Sequence, residues 1–194
     1  MLKEPRPGRV KTRLGREIGH TEAARWYRRQ TGALLRRLRD PRWETILAVS
    51  PDAEGLRSRV WPAELPRLAQ GRGDLGRRMG LILRGLPPGP VCVVGSDVPG
   101  ITRPHIAEAF AALGRADAVL GPAPDGGYWL IGLKRTARPP AHLFEGVRWS
   151  SPHALADTEA TMSGLRVAHV ATLRDVDAAA DLRGGSPGPM GGPG

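Results

Sequence analysis

A chain of 194 residues, 40% hydrophobic and 25% charged, has the size and composition of one globular domain and little room for a second. It has no run of about 18 apolar residues, and its charged, proline-rich start has no apolar signal core; both argue against a membrane span or secretion and for a cytoplasmic protein. The net charge of +10 invites a nucleic-acid reading, but only three of the 29 basic residues are lysines (Lys3, Lys11, Lys134) and the arginines are spread along the whole chain. The five Trp, two Tyr and two Phe form no base-stacking pattern, so nucleic acid is not an expected partner, whereas phosphate oxygens suit arginine forks. The single cysteine, Cys92, excludes a disulfide framework or a cysteine zinc site.

Residues 5–14 (PRPGRVKTRL) read as a basic loop, because two prolines and a glycine are incompatible with a central strand. Helical spacing of Ala24, Tyr27, Leu34, Leu35 and Leu38 predicts a helix over 21–38, with Thr21 placed to cap it. ETILAVS (44–50) predicts a buried strand ending at Pro51, and a glycine-containing stretch leads into a helix over 74–85. VCVVGSD (91–97) is an apolar strand that stops at a carboxylate, followed by a turn at Pro99 and Gly100 and a helix over 104–113. DAVLGPA (117–123) and YWLIGLK (128–134) predict strands around a turn at PDGG (124–127). A helix over 151–162, a strand over 165–173 and a short helix within 175–182 complete the order, before a glycine-proline tail (184–194) expected to be disordered. Strands alternating with helices imply an α/β sandwich with a mostly parallel sheet, whose ligands sit at the carboxyl ends of the strands. GSDVPG (95–100) and PAPDGG (122–127) leave the sheet at such ends.

Five segments carry chemistry, and each also has a purely structural reading. Asp97, at the tip of an apolar strand, places a charge at the edge of the core; it suits a Mg²⁺ or Mn²⁺ ligand, or a turn aspartate. Arg9, Lys11 and Arg13 put three cations within five residues, as a diphosphate requires, though a solvated surface loop looks the same and no Walker pattern is present. Gln70 and Asp74 in QGRGDLGRRM (70–79) are suited to a nucleobase edge, or Asp74 to capping the helix that follows. Asp125, with Gly126 and Gly127, allows close approach of a ligand, or forms a hairpin turn. Asp177 offers a second metal ligand, while one of Asp175 and Asp177 is expected to cap a helix. The five histidines show no ligand spacing.

In order along the chain, PGRVKTRL, QGRGDLGRRM, VVGSDVPG, DAVLGPAPDGGYWLIGL, LFEGVRWSS and DVDAAADL resemble a bacterial glycosyltransferase-like family of the nucleotide-diphospho-sugar transferase superfamily, one linked to arsenosugar biosynthesis. The resemblance spans residues 3–183. It implies a three-layer α/β/α sandwich of GT-A fold with a mixed, mostly parallel sheet, and one transferase domain over 1–183. It further implies that Arg9, Lys11 and Arg13 bind the donor phosphates, that Lys11 and Arg13 assist catalysis, and that Gln70 and Asp74 read the base. By the same resemblance Asp97 and Asp177 hold Mg²⁺ or Mn²⁺, and Asp125, Gly126, Gly127, Trp149 and Ser150 face a small-molecule acceptor.

The implied activity is metal-dependent transfer of a sugar from a nucleotide-sugar. The alternatives are nucleotidyl transfer of guanylyltransferase type, from a nucleoside triphosphate to a phosphorylated acceptor with pyrophosphate release, and nucleotide binding without catalysis. Members of the family carry a hydrophobic strand ahead of the basic loop. Here only Met1, Leu2, Lys3 and Glu4 precede Pro5, so the first strand is expected to be largely missing, with the start lying upstream or the chain truncated.

Overall fold

A computed structural model describes residues 1–136 and 138–183; the expected disordered tail lies outside the described residues. The chain opens with a two-residue strand, β1 (Leu2–Lys3), then α1 (Thr12–Ile18) and α2 (His20–Arg37). β2 (Leu47–Ser50), α3 (Asp52–Leu56), β3 (Arg67–Ala69) and α4 (Leu75–Gly85) follow. β4 (Val91–Val94), α5 (Arg103–Arg115), β5 (Ala118–Pro122) and β6 (Tyr128–Leu133) form the middle of the molecule. α6 (Ala154–Ala160), β7 (Val167–His169) and α7 (Ala179–Arg183) close it.

The strands form two sheets, ordered β1-β2-β3 and β4-β6-β5-β7. Pairing is parallel for β1–β2, β2–β3 and β5–β7 and antiparallel for β4–β6 and β5–β6, so the arrangement is mixed α/β as expected. β5 and β6 are joined by the PDGG turn, where the Ala123 N–H donates to the Gly127 carbonyl at 2.9 Å. The sheets meet at one point: the Met1 nitrogen donates to the Val94 carbonyl at 2.6 Å.

Packing on both faces follows from the apolar runs. A strand buried on both sides reads as continuous hydrophobics, as YWLIGL does; VCVV reads the same way, though of its four residues only Val93 is fully buried. On one face α4 contributes Met79, Ile82 and Leu83, packed with Leu120, Ile131 and Leu133. On the other, Leu34 and Leu38 of the α2 region and Ile106, Ala109 and Leu113 of α5 cover Val119 and Leu130. Fully burying each such side chain is worth about 1.5–3 kcal/mol.

Several boundaries differ from expectation. The last three residues of the expected basic loop, 12–14, are helical, because Lys11 adopts a left-handed conformation (φ 45°, ψ 52°) and α1 starts at Thr12. α2 begins at His20 after Gly19, so Thr21 lies within the helix and is not its cap. Among the described residues no helix is long and apolar enough to cross a membrane.

Candidate functional site

The carboxyl end of β4 gathers the charged residues. A buried hydroxyl pair holds its tip: Tyr27 and Ser96 are hydrogen-bonded at 2.8 Å, and the Tyr27 hydroxyl also accepts from the Lys3 N–H at 3.0 Å. α2 and β1 are thereby tied to the residue next to Asp97. From the other end of the chain, the Val176 N–H donates to the Asp97 carbonyl at 3.1 Å. That bond brings the DVD segment alongside the strand tip.

Asp97, Asp175 and Asp177 each place a carboxylate oxygen within 4.8 Å of the others. Lys11 Nζ lies 2.6 Å from Asp97 Oδ2 and 2.8 Å from Asp177 Oδ1, with only 8% of its side chain exposed. Arg13 reaches Asp177 at 3.3 Å from the solvent side. Burial works against the Lys11 charge, but Asp97 and Asp177 outweigh it and hold the ammonium above its ordinary value. Burial, followed by the Asp177 and Asp97 charges, pushes Asp175 up to about 6, against the pull of Lys11. A left-handed non-glycine residue costs about 1–2 kcal/mol, and at Lys11 the ion pairs made by its side chain offset that strain.

Asp175 was not among the residues the sequence singled out as ligands. Its only local signal was its place beside Asp177, and capping was an equal reading of both. The capping work falls instead to Asp181, whose Oδ2 accepts from the Asp177 and Ala178 N–H groups at 3.0 and 2.9 Å. Both earlier carboxylates are thus left to face Lys11 and Asp97. An all-oxygen donor set with a single buried ammonium as countercharge fits a hard divalent cation such as Mg²⁺ or Mn²⁺.

The fold and the sequence have relatives among known proteins. A crystal structure from Desulfovibrio desulfuricans G20, provisionally named a nucleotide-diphospho-sugar transferase, is 31% identical over 91% of this chain and 80% of its own, with a TM-score of 0.82. The bacterial family described as "Uncharacterized protein conserved in bacteria (DUF2064)" matches residues 33–151, more than half of the sequence. The chain belongs to this nucleotide-diphospho-sugar transferase-like family. A homologue of the Mycobacterium tuberculosis protein rv0371c, from Mycobacterium sp. strain JC1, shares the fold at 17% identity, 79% coverage of each chain and a TM-score of 0.55. No curated protein matches the sequence.

Within this DUF2064 fold the remaining expected site residues divide. Arg9 is exposed and pairs with Glu54 at 3.4 Å, away from the carboxylates. Gln70 is buried, and its amide nitrogen donates to the Leu2 and Ala48 carbonyls at 3.0 and 2.8 Å. It fastens β1 to β2 and is not presented to a base, a correction to the sequence reading; an amide directly before a glycine looks the same in either role. Asp74 caps α4, its carboxylate accepting from the Arg77 N–H at 2.8 Å, as the structural reading of that segment had it. Asp125 accepts from the Gly127 N–H at 2.9 Å, and its charge reaches Asp175. Gly126, at φ 82°, faces the Pro152 carbonyl, and its own carbonyl accepts from the Leu155 N–H at 2.9 Å. Trp149 lies against Tyr128 and Phe144, with ring centroids 6.5 and 6.0 Å away, and Ser150 beside it is exposed. These contacts link the PDGG turn to the 149–155 segment.

Proposed function

We propose that this protein is a metal-dependent transferase acting on a nucleotide-activated donor, most simply a glycosyltransferase that moves a sugar from a nucleotide-sugar to a small-molecule acceptor. The observation that carries the reading is the Asp97–Asp175–Asp177 cluster with Lys11 and Arg13 set into it. Three carboxylates against two cations leave an excess of one negative charge. A divalent cation would turn it into an excess of one positive charge, which attracts an anionic diphosphate.

Asp97 and Asp177, joined by Asp175, would hold the cation. Bound there, a divalent cation supplies Lewis-acid stabilisation of the departing nucleoside diphosphate. Lys11 would offer its ammonium to a phosphate oxygen, and Arg13 would add a second donor from the rim. The Arg9–Glu54 pair is exposed, and such pairs are worth little, so Arg9 is free to exchange Glu54 for a phosphate. Asp125, with Gly126, Gly127, Trp149 and Ser150, forms the acceptor side, where the Asp125 carboxylate accepts a hydroxyl hydrogen bond and Trp149 offers a ring face.

The Desulfovibrio desulfuricans G20 protein supports the reading, since its provisional name has the same chemistry. The deciding experiment measures the melting temperature with nucleoside diphosphates, nucleotide-sugars and nucleoside triphosphates, with and without Mn²⁺, and then analyses products. A metal-dependent rise with a nucleotide-sugar, followed by release of free nucleoside diphosphate, is expected. No rise with any nucleotide in metal defeats the transferase reading. Release of pyrophosphate from a triphosphate assigns nucleotidyl transfer instead.

A further inference from the structure

Three hydrogen bonds carry the chain from the end of β5 to the tip of β4. The Val170 N–H donates to the Leu120 carbonyl at 3.0 Å, the Leu173 N–H to Pro122 at 3.1 Å, and the Val176 N–H to Asp97 at 3.1 Å. Asp175 thus lies on the stretch that runs from Pro122 to Asp97. β6 begins at Tyr128, directly after the PDGG turn, and pairs with β4, where the Gly95 N–H donates to the Trp129 carbonyl at 2.9 Å. The PDGG turn and the β4 tip are therefore neighbours on one edge of the sheet, and the Asp125 charge is felt at Asp175.

Asp125 is a fourth carboxylate of this edge and stands outside the Asp97–Asp175–Asp177 cluster. It is exposed, and its Oδ1 accepts from the Gly127 N–H at 2.9 Å. Among the described residues its Oδ2 has no hydrogen-bond partner and the side chain makes no ion pair. The turn that carries it is held firmly. The Leu155 N–H donates to the Gly126 carbonyl at 2.9 Å, and Gly126 fits against Pro152 because it has no Cβ. A carboxylate fixed by one oxygen, free at the other and uncommitted to a cation has the form of a general base. The cluster carboxylates are engaged: Asp97 and Asp177 pair with the Lys11 ammonium, and under the proposed function all three face the cation. Of the other polar groups on the acceptor side, Ser151 Oγ donates to the Arg148 carbonyl at 2.6 Å, and the His153 charge acts on Asp157.

We propose that Asp125 is the base that activates the acceptor, and that transfer inverts the anomeric carbon in a single displacement. This deepens the glycosyltransferase reading and rests on it. The acceptor hydroxyl gives its proton to Asp125 Oδ2 while its oxygen forms the new bond to the anomeric carbon. The bond from that carbon to the diphosphate breaks, and its electron pair leaves with the nucleoside diphosphate. Asp125 then releases the proton to solvent. A double displacement would spend the one uncommitted carboxylate of this edge as nucleophile and leave none to take the acceptor proton.

The test uses water as the acceptor. Wild type, Asp125→Asn and His153→Gln are each given the α-linked donors UDP-glucose, UDP-N-acetylglucosamine and GDP-mannose with Mn²⁺. Release of nucleoside diphosphate is timed, donor affinity is measured by calorimetry, and the anomer of the freed sugar is read by proton NMR before it mutarotates. Asparagine keeps an oxygen for the Gly127 N–H and suits the turn, so Asp125→Asn is expected to fold and to bind donor as the wild type does. Its kcat is expected to fall by about 10²–10⁴-fold, with His153→Gln unchanged, and the wild type is expected to release the β sugar first. Turnover in Asp125→Asn close to that of wild type, an equal loss in His153→Gln, or first release of the α sugar overturns the proposal and leaves the transferase reading standing. No diphosphate release by the wild type from any of these donors overturns the glycosyltransferase reading and this proposal together.

Discussion

The Tyr27 and Ser96 hydroxyls meet 2.8 Å apart in the interior, one on α2 and the other at the tip of β4. Through this contact the helix behind the sheet fixes the residue that precedes Asp97. Tyr27→Phe removes the acceptor of the Lys3 N–H as well as the partner of Ser96. Unpairing buried polar groups costs about 1–3 kcal/mol, so urea denaturation is expected to show a loss of that size. The variant is also expected to bind Mn²⁺ more weakly by calorimetry. Wild-type stability in Tyr27→Phe would remove the hydroxyl pair as a support of the site.

Lys11→Met takes the ammonium out of the carboxylate cluster and leaves like charges facing one another. The partners are partly exposed, Asp97 at 34% and Asp177 at 44%, so the penalty is expected to be modest, about 1–2 kcal/mol without metal. Mn²⁺ should restore more stability to this variant than it adds to the wild type. Equal metal stabilisation of the two proteins would show that Lys11 and a cation do not share these carboxylates.

Gly126 and Gly146 both have positive φ, 82° and 71°, but their surroundings differ. A Cβ at Gly126 would stand 2.1 Å from the Pro152 carbonyl oxygen, whereas at Gly146 nothing lies within 4 Å. Gly146→Ala is therefore expected to cost only the backbone term, about 1 kcal/mol. Gly126→Ala must also push two backbone segments apart, and a loss of about 3 kcal/mol or more is expected in chemical denaturation. Equal losses would mean that the 149–155 segment yields freely.

Arg148 grips Asp157 through its main-chain N–H, Nε and Nη2, at 3.0, 2.8 and 2.8 Å. Those hydrogen bonds hold the Asp157 carboxyl well below its ordinary value of 3.8. A depressed native pKa gives stability that is fully present above the unfolded value and lost as pH falls through the native one. Asp157→Asn should therefore be less stable than wild type by a constant amount from pH 7 to about pH 5, with the gap closing in stronger acid. A deficit unchanged down to the acid unfolding region would assign the contribution to shape and not to charge.

The sequence was most legible in the apolar strands and in the helices that cover them. VCVV, the hairpin strands around PDGG, and the helices with Ile82 and Leu83 or Ile106 and Ala109 announce themselves through unbroken apolar runs or helical spacing. α3 and β3 did not, because they are short and partly exposed and take their form from pairing with β2. α1 was hidden because its start depends on the left-handed turn at Lys11, which no local pattern encodes for a lysine. In the candidate site, Lys11, Asp97 and Asp177 were readable from a strand tip and an ordered set of motifs. Asp175 needed the tertiary bond from Val176 to Asp97, and the true place of Gln70 depended on two carbonyls distant in sequence.

Lys11 and Asp177 are 166 positions apart, yet their side chains touch. The lysine is translated well before the second carboxylate, and until Asp177 joins it the ammonium has only Asp97 as an ion-pair partner. Under the proposed function, binding at this cluster depends on both of these distant segments, and a variant that displaces either is expected to lose the ligand while keeping the core.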